Sequence, residues 1–230
     1  MTVRDIAAVL PDIDTLKDLC RSMAMAEAIL NPDGECFYSY SAEWSETEQV
    51  ASMRNGSGDE YDIVFAPVGA YIRGFDHESP LSPYRHEDGP EPWPGVLDSV
   101  PEAFRRYVDE PAFTDEDDCP VVTACLWRET NATSWRTGQI TYPADHPDPD
   151  GSTQLFELLL APTPEAFRAF AEDCYEVPVD IGALRHLYEL RPLGLPQIIA
   201  LNPGASVPEV VAAARAMGYP LTDDLRPDAS

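Results

Sequence analysis

Lysine is almost missing from this chain. Lys17 is the only one in 230 residues, so nearly all of the 15 basic side chains are arginines. Against them stand 41 Asp and Glu, for a formal charge of −26. A field of that sign repels phosphate backbones and anionic bilayers, which argues against unaided binding to nucleic acid or membrane and favours cations or a basic protein partner. Solubility alone is the plainer account of the same charge. The shortage of lysine beside plentiful Ala, Arg, Asp and Pro reads as the codon bias of a GC-rich genome.

Other absences narrow the classes further. Cys20, Cys36, Cys119, Cys125 and Cys174 are odd in number and form no C-x-x-C pair, against a disulfide scaffold or a zinc ribbon. Cys20 and Cys174 fall on apolar helix stripes and Cys125 in a strand pattern, so core packing is expected of all three. No apolar run approaches the ~18 residues of a membrane span. No basic segment followed by an apolar run marks a signal peptide, and a cytoplasmic location is expected. The G-x-x-x-x-G-K-[ST] phosphate loop, the H-E-x-x-H zinc helix and the G-x-S-x-G nucleophile elbow do not occur. Gly56-Ser57-Gly58 precedes a strand, whereas a phosphate cradle needs a helix N-terminus behind it. No cofactor is expected.

What is present centres on the stretch from Ser52 to His86. Asn55-Gly56-Ser57-Gly58-Asp59 has the chemistry of a tight reversal. Tyr61 to Phe65 alternates as a strand with Tyr61, Ile63 and Phe65 on one face. Ala66-Pro67-Val68-Gly69 fits a turn with proline second, and Tyr71 to Phe75 returns as the next strand. Around this meander, Thr2-Val3-Arg4-Asp5 reads as a capping box, as do Ser99 to Glu102 and Ser206 to Glu209. A helix with Leu16, Leu19, Cys20, Met23 and Leu30 on its apolar stripe is stopped by Asn31-Pro32-Asp33-Gly34. Val121 to Trp127 and Trp135 to Ile140 suggest a second hairpin with Trp127 facing Trp135, and Leu155 to Leu160 a buried strand. Thr163 and Asp180 cap later helices, and Gly218 ends the last one. The prediction is a single α+β domain over 1–230: helix plus β-meander core in 1–160, a helical part in 161–220, and a tail in 221–230.

Chemistry concentrates where the meander ends, at Asp76, His77, Glu78, Tyr84, Arg85 and His86, flanked by Arg73. His77 and His86 with Asp76 or Glu78 are the ligand types of a transition-metal site, though their spacing matches no metal motif. His77, Asp76 and Glu78 are also the candidates for a general base with its carboxylate, as in a hydrolase. The structural alternative has Asp76 and Ser79 bonding the local backbone while Glu78 pairs with Arg73 or Arg85. No metal is expected on balance. From Asp76 to Asp118 the chain is acidic and proline-rich. Trp93 sits stiffly in Pro92-Trp93-Pro94-Gly95 among carboxylates, either as an anchor for a basic protein or as a plug at the core edge. His146 to Glu157 falls short of a calcium loop, lacking aspartate at its first position, and reads as an Asp-Pro turn. His186 reads as a helix-face histidine.

The segments SMRNGSGDEY, GFDHES, PWPGVLDSVP and AFAEDCYEV resemble those of a bacterial family of uncharacterised cytosolic proteins from actinomycete genomes. That resemblance brings no activity and no catalytic residue. In architecture and charge the chain is also similar to SMI1/KNR4-like immunity proteins, which implies a non-catalytic module that binds a basic partner.

Overall fold

The computed structural model describes residues 1–32, 37–86, 89–144 and 146–226. Cys36, the Asp33-Gly34 part of the expected helix stop and the last four residues of the expected tail lie outside the described residues. In chain order come helices α1 (Val3–Val9) and α2 (Ile13–Leu30) and strands β1 (Tyr38–Ser41), β2 (Gln49–Arg54), β3 (Glu60–Ala66) and β4 (Gly69–Phe75). Helix α3 (Glu102–Val108), strands β5 (Ala124–Glu129) and β6 (Arg136–Thr137) and helices α4 (Ser152–Leu155) and α5 (Glu157–Leu160) follow. Helices α6 (Pro164–Tyr175), α7 (Ile181–Tyr188), α8 (Leu195–Leu201) and α9 (Val207–Ala216) complete the chain. Nine helices and six strands laid in chain order, among the described residues, make the fold α+β. None of these helices is long and apolar enough to cross a membrane.

The chain gathers into two compact units, each built from two stretches. Met1–Ile13 and Arg54–Leu160 form one, Asp14–Met53 and Ala161–Ser230 the other. The first unit holds the antiparallel meander β3-β4-β5-β6. Its tight turn is the expected one: Ala66 pairs with Gly69 across Pro67-Val68. Gly69 has φ +144°, and a Cβ there would lie 2.1 Å from the Arg128 carbonyl, so only glycine fits. Tyr61, Ile63 and Phe65 are buried as their alternation predicts, but so are Asp62 and Val64, because this strand is covered on both faces. The register explains how a carboxylate survives there: Asp62 stands directly opposite Arg73.

Several expectations are corrected in this unit. The run from Leu155 to Leu160 is helical, in α4 and α5, not a strand. A short apolar run cannot tell a buried strand from a buried helix. Here Asp148 accepts from the N–H groups of Thr153 and Gln154 and so caps the helix. The second hairpin is short, since a Cβ at Gly138 would fall 1.8 Å from the Gly95 carbonyl and the chain there turns to another neighbour. Trp127 pairs with Arg136, so Trp127 and Trp135 are not cross-strand partners. Helix α3 starts at Glu102 with Pro101 before it and no side-chain cap, which leaves Ser99 too far upstream to act. At α1, by contrast, Asp5 accepts the Thr2 N–H at 2.8 Å, and these hydrogen bonds hold its carboxyl below the usual range.

In the second unit β1 pairs antiparallel with β2, Tyr40 opposite Ala51. Helix α2 buries Leu16, Leu19, Cys20, Met23 and Leu30, the predicted stripe. Phe37, Tyr38, Phe167, Phe170 and Tyr175 form an aromatic cluster with ring centroids 5.3 to 6.4 Å apart. Thr163 and Asp180 accept from the N–H groups of Ala166 and Ala183, as capping residues do. Ser206 makes no such bond, although Gly218 does take the left-handed conformation (φ +62°) that ends α9. Cys174 is exposed, because the buried edge of α6 runs through Phe167 and Ala171 and passes it by.

Candidate functional site

The meander delivers its polar residues through hairpin register. With Glu60 opposite Phe75, the next pair outward is Asp59 and Asp76. Asn55 shapes the approach: its Oδ1 accepts from the N–H groups of Ser57 and Asp59, and its Nδ2 donates to Asp59 Oδ2 at 2.8 Å. His77 then meets Asp59 twice, through its backbone N–H at 3.0 Å and its Nδ1 at 2.7 Å from Oδ1. Asp76 Oδ1 accepts from the N–H groups of Glu78 and Ser79, and the Ser79 hydroxyl donates to the Pro149 carbonyl. Gly151, at φ +70°, approaches so closely that a Cβ would sit 2.3 Å from Asp76. Asp76 and Ser79 therefore shape the strand exit as the structural alternative anticipates.

Asp59, Asp76 and His77 each offer a ligand atom, and these atoms lie within 4.8 Å of one another. Their electrostatics differ. Burial pushes Asp59 up, but hydrogen bonds from His77 and Asn55 outweigh it and leave the carboxyl below its ordinary range. The bond to Asp59 raises His77. Burial, followed by the charge of Asp59, raises Asp76 despite its two backbone donors. A carboxylate-held imidazole beside a second carboxyl can orient a proton or share a small cation.

The other predicted residues go elsewhere. Glu78 contributes its carbonyl, not its carboxylate, to Arg85, whose Nη2 donates to it at 2.7 Å while Nε donates to Ser79 O at 2.8 Å. His86 is not part of the three-residue group; its ring lies 6.0 Å from that of Trp93, whose indole N–H donates to the Thr141 carbonyl. Arg73 is 2% exposed. Its Nε donates to Asp62 at 2.9 Å and its Nη1 to the Val121 carbonyl, Nη2 pairs with Glu60, and the guanidinium lies over the Phe113 ring. It belongs to an internal network with Arg54, Glu60 and Asp62, so the expected Glu78–Arg73 pair gives way to the cross-strand one.

Tyr84 stands apart from these. The residue is 49% exposed; its ring packs edge-on to Phe75 and its hydroxyl donates to Asp115 at 3.3 Å. Burial and the charges of Asp115 and Glu60 push its phenol up to about 12. Nearby Cys119 is raised by burial and then by Asp115, Glu91 and Asp117. Among the described residues, no carboxylate between Asp76 and Asp118 is in an ion pair. In the same stretch Arg85 and Arg105 donate to carbonyls, and Arg106 donates to the Tyr107 hydroxyl among its contacts.

Asp59 reads from the sequence as turn chemistry alone, not as a member of the site. The two-residue Pro67-Val68 turn carries the signal, since counting outward from it places Asp59 opposite Asp76. His146 to Glu157 gives a turn and cap through Asp148, and His186 Nε2 lies 2.9 Å from the Pro192 carbonyl on its helix face. Comparison with protein-family models, curated proteins and solved structures gives no match to this chain.

Proposed function

We propose that this chain is a non-catalytic binding module that docks a basic protein segment, as an immunity-type protein would, on the acidic surface around Tyr84. The observation that carries this reading is a half-exposed tyrosine set among carboxylates that, among the described residues, form no ion pair. Tyrosine anchors contact at small entropic cost, and uncompensated carboxylates steer a cationic partner and fix its register. The net charge of −26 disfavours unaided binding of polyanionic partners on the same ground. An arginine-rich peptide labelled for fluorescence polarisation tests the reading. Tyr84→Ala and the combined Glu91→Gln, Asp115→Asn, Asp117→Asn variant are each expected to weaken its binding about tenfold or more. Equal affinity for wild type and both variants would defeat it.

A second reading rests on the Asp59–Asp76–His77 group, whose ligand atoms are close enough for one divalent ion and whose chemistry suits metal-assisted or His–carboxylate hydrolysis. It predicts one equivalent of zinc bound in calorimetric titration of the wild type and none in His77→Ala. A flat titration of the wild type would remove the metal form of it.

A further inference from the structure

The first unit carries a cleft whose charge runs against that of the whole molecule. Its volume is about 710 Å³, within the range of small-molecule sites, and it lies between α1 and the β5–β6 hairpin. Arg4, Ala7 and Ala8 share one helix face by their i, i+3, i+4 spacing, and the two alanines leave the space that a longer side chain would fill. Opposite them Trp127 pairs across the strands with Arg136. Trp135 is fixed by its indole N–H, which donates to the Pro11 carbonyl at 2.6 Å.

Although 41 of the 230 residues are acidic, none of those lining this cleft is Asp or Glu. Two of the 15 basic residues do line it. Neither Arg4 nor Arg136 forms an ion pair with a described residue, whereas Arg54, Arg73, Arg168, Arg185 and Arg191 all do. Asp5, the carboxylate adjacent to Arg4 in sequence, is engaged by the Thr2 N–H.

We infer that this cleft binds a small aromatic monocarboxylate, its carboxylate held by the guanidinium groups of Arg4 and Arg136 and its apolar body against the indole floor. The guanidinium fork matches a carboxylate bidentately, and tryptophan offers a flat apolar surface. The surrounding field selects within the anions. A molecule of charge −26 repels a polyanion or an inorganic phosphate that has no apolar contact to offset the repulsion, so a single charge on a large apolar body is favoured.

The probe is 2-naphthoate, with the neutral 2-naphthamide as its counterpart, followed through the indole N–H signals in two-dimensional NMR spectra of the full chain. 2-Naphthoate is expected to shift the Trp127 and Trp135 signals saturably with a Kd of about 1 mM or tighter, leaving Trp44 and Trp93 in place. The amide is expected to bind about tenfold more weakly, as are complexes of 2-naphthoate with Arg4→Ala or Arg136→Ala, while Arg215→Ala behaves as wild type. Ala8→Trp is expected to fill the cleft and abolish the shifts. Both arginines and Ala8 are exposed, so these variants should keep the remaining spectrum of the folded protein. Absence of a saturable shift, equal binding of acid and amide, or undiminished binding by both arginine variants would each overturn the assignment.

Discussion

Asp62→Ala is expected to lower the unfolding free energy of the unit containing the meander by about 2–4 kcal/mol, because it removes the buried one of the two carboxylates that compensate a buried guanidinium. Asp62 and Arg73 are each 2% exposed and directly opposed in register. Glu60 and the Val121 carbonyl still hold Nη2 and Nη1 of Arg73 in the variant, but the buried Nε donor loses its acceptor. Urea denaturation of wild type, Asp62→Ala, Arg73→Leu and the double variant gives the coupling directly. The double variant should be more stable than Asp62→Ala alone, since removing both charges ends the desolvation cost. A loss below about 1 kcal/mol for Asp62→Ala would mean that water reaches the pair.

The second large effect belongs to Asp150, which is fully buried. Its carboxylate accepts from Val3 N–H at 2.8 Å and Ser152 N–H at 3.1 Å, tying the start of α1 to the start of α4. Asp150→Ala strands both donors and is expected to cost about 2–4 kcal/mol. The pH dependence carries a definite sign. Burial raises the Asp150 carboxyl above its ordinary value in spite of these donors. The folded protein thus holds this proton more tightly than the unfolded chain. Its contribution is complete below the unfolded value of about 4 and is lost as pH rises through the folded value. Asp150→Asn does not titrate, so its stability relative to wild type should be better at about pH 7 than at about pH 4. An unchanged or reversed difference in urea unfolding would contradict the assignment.

Much of the fold was legible because local signals agreed with the tertiary outcome. The Pro67-Val68 turn, the stripe of α2 and the caps at Thr163 and Asp180 each have a mechanism that acts within a few residues. What misled was context. Leu155 to Leu160 reads as a strand from its apolar run alone, until Asp148 is seen bonding the first-turn N–H groups of α4 just upstream. Ser99 and Ser206 have capping residues' sequence and lack their hydrogen bonds, since placing the first helical turn is a tertiary decision. At the site, His77 and Asp76 stand out by residue type, whereas Asp59 emerges only from register and Arg73, expected to flank the cluster, is a buried partner of Asp62. The basic cleft was invisible, because Arg4 and Arg136 lie far apart in sequence and two alanines announce nothing.

The central claim is electrostatic capture by unpaired carboxylates around an exposed ring, and the association rate tests it most directly. Stopped-flow measurement of arginine-rich peptide binding across a range of NaCl concentrations should give a rate that falls steeply as salt screens the attraction. The same measurement on the Glu91→Gln, Asp115→Asn, Asp117→Asn variant should give a slower rate and a shallower dependence. A rate indifferent to salt, or one that those neutralisations leave untouched, would contradict the account.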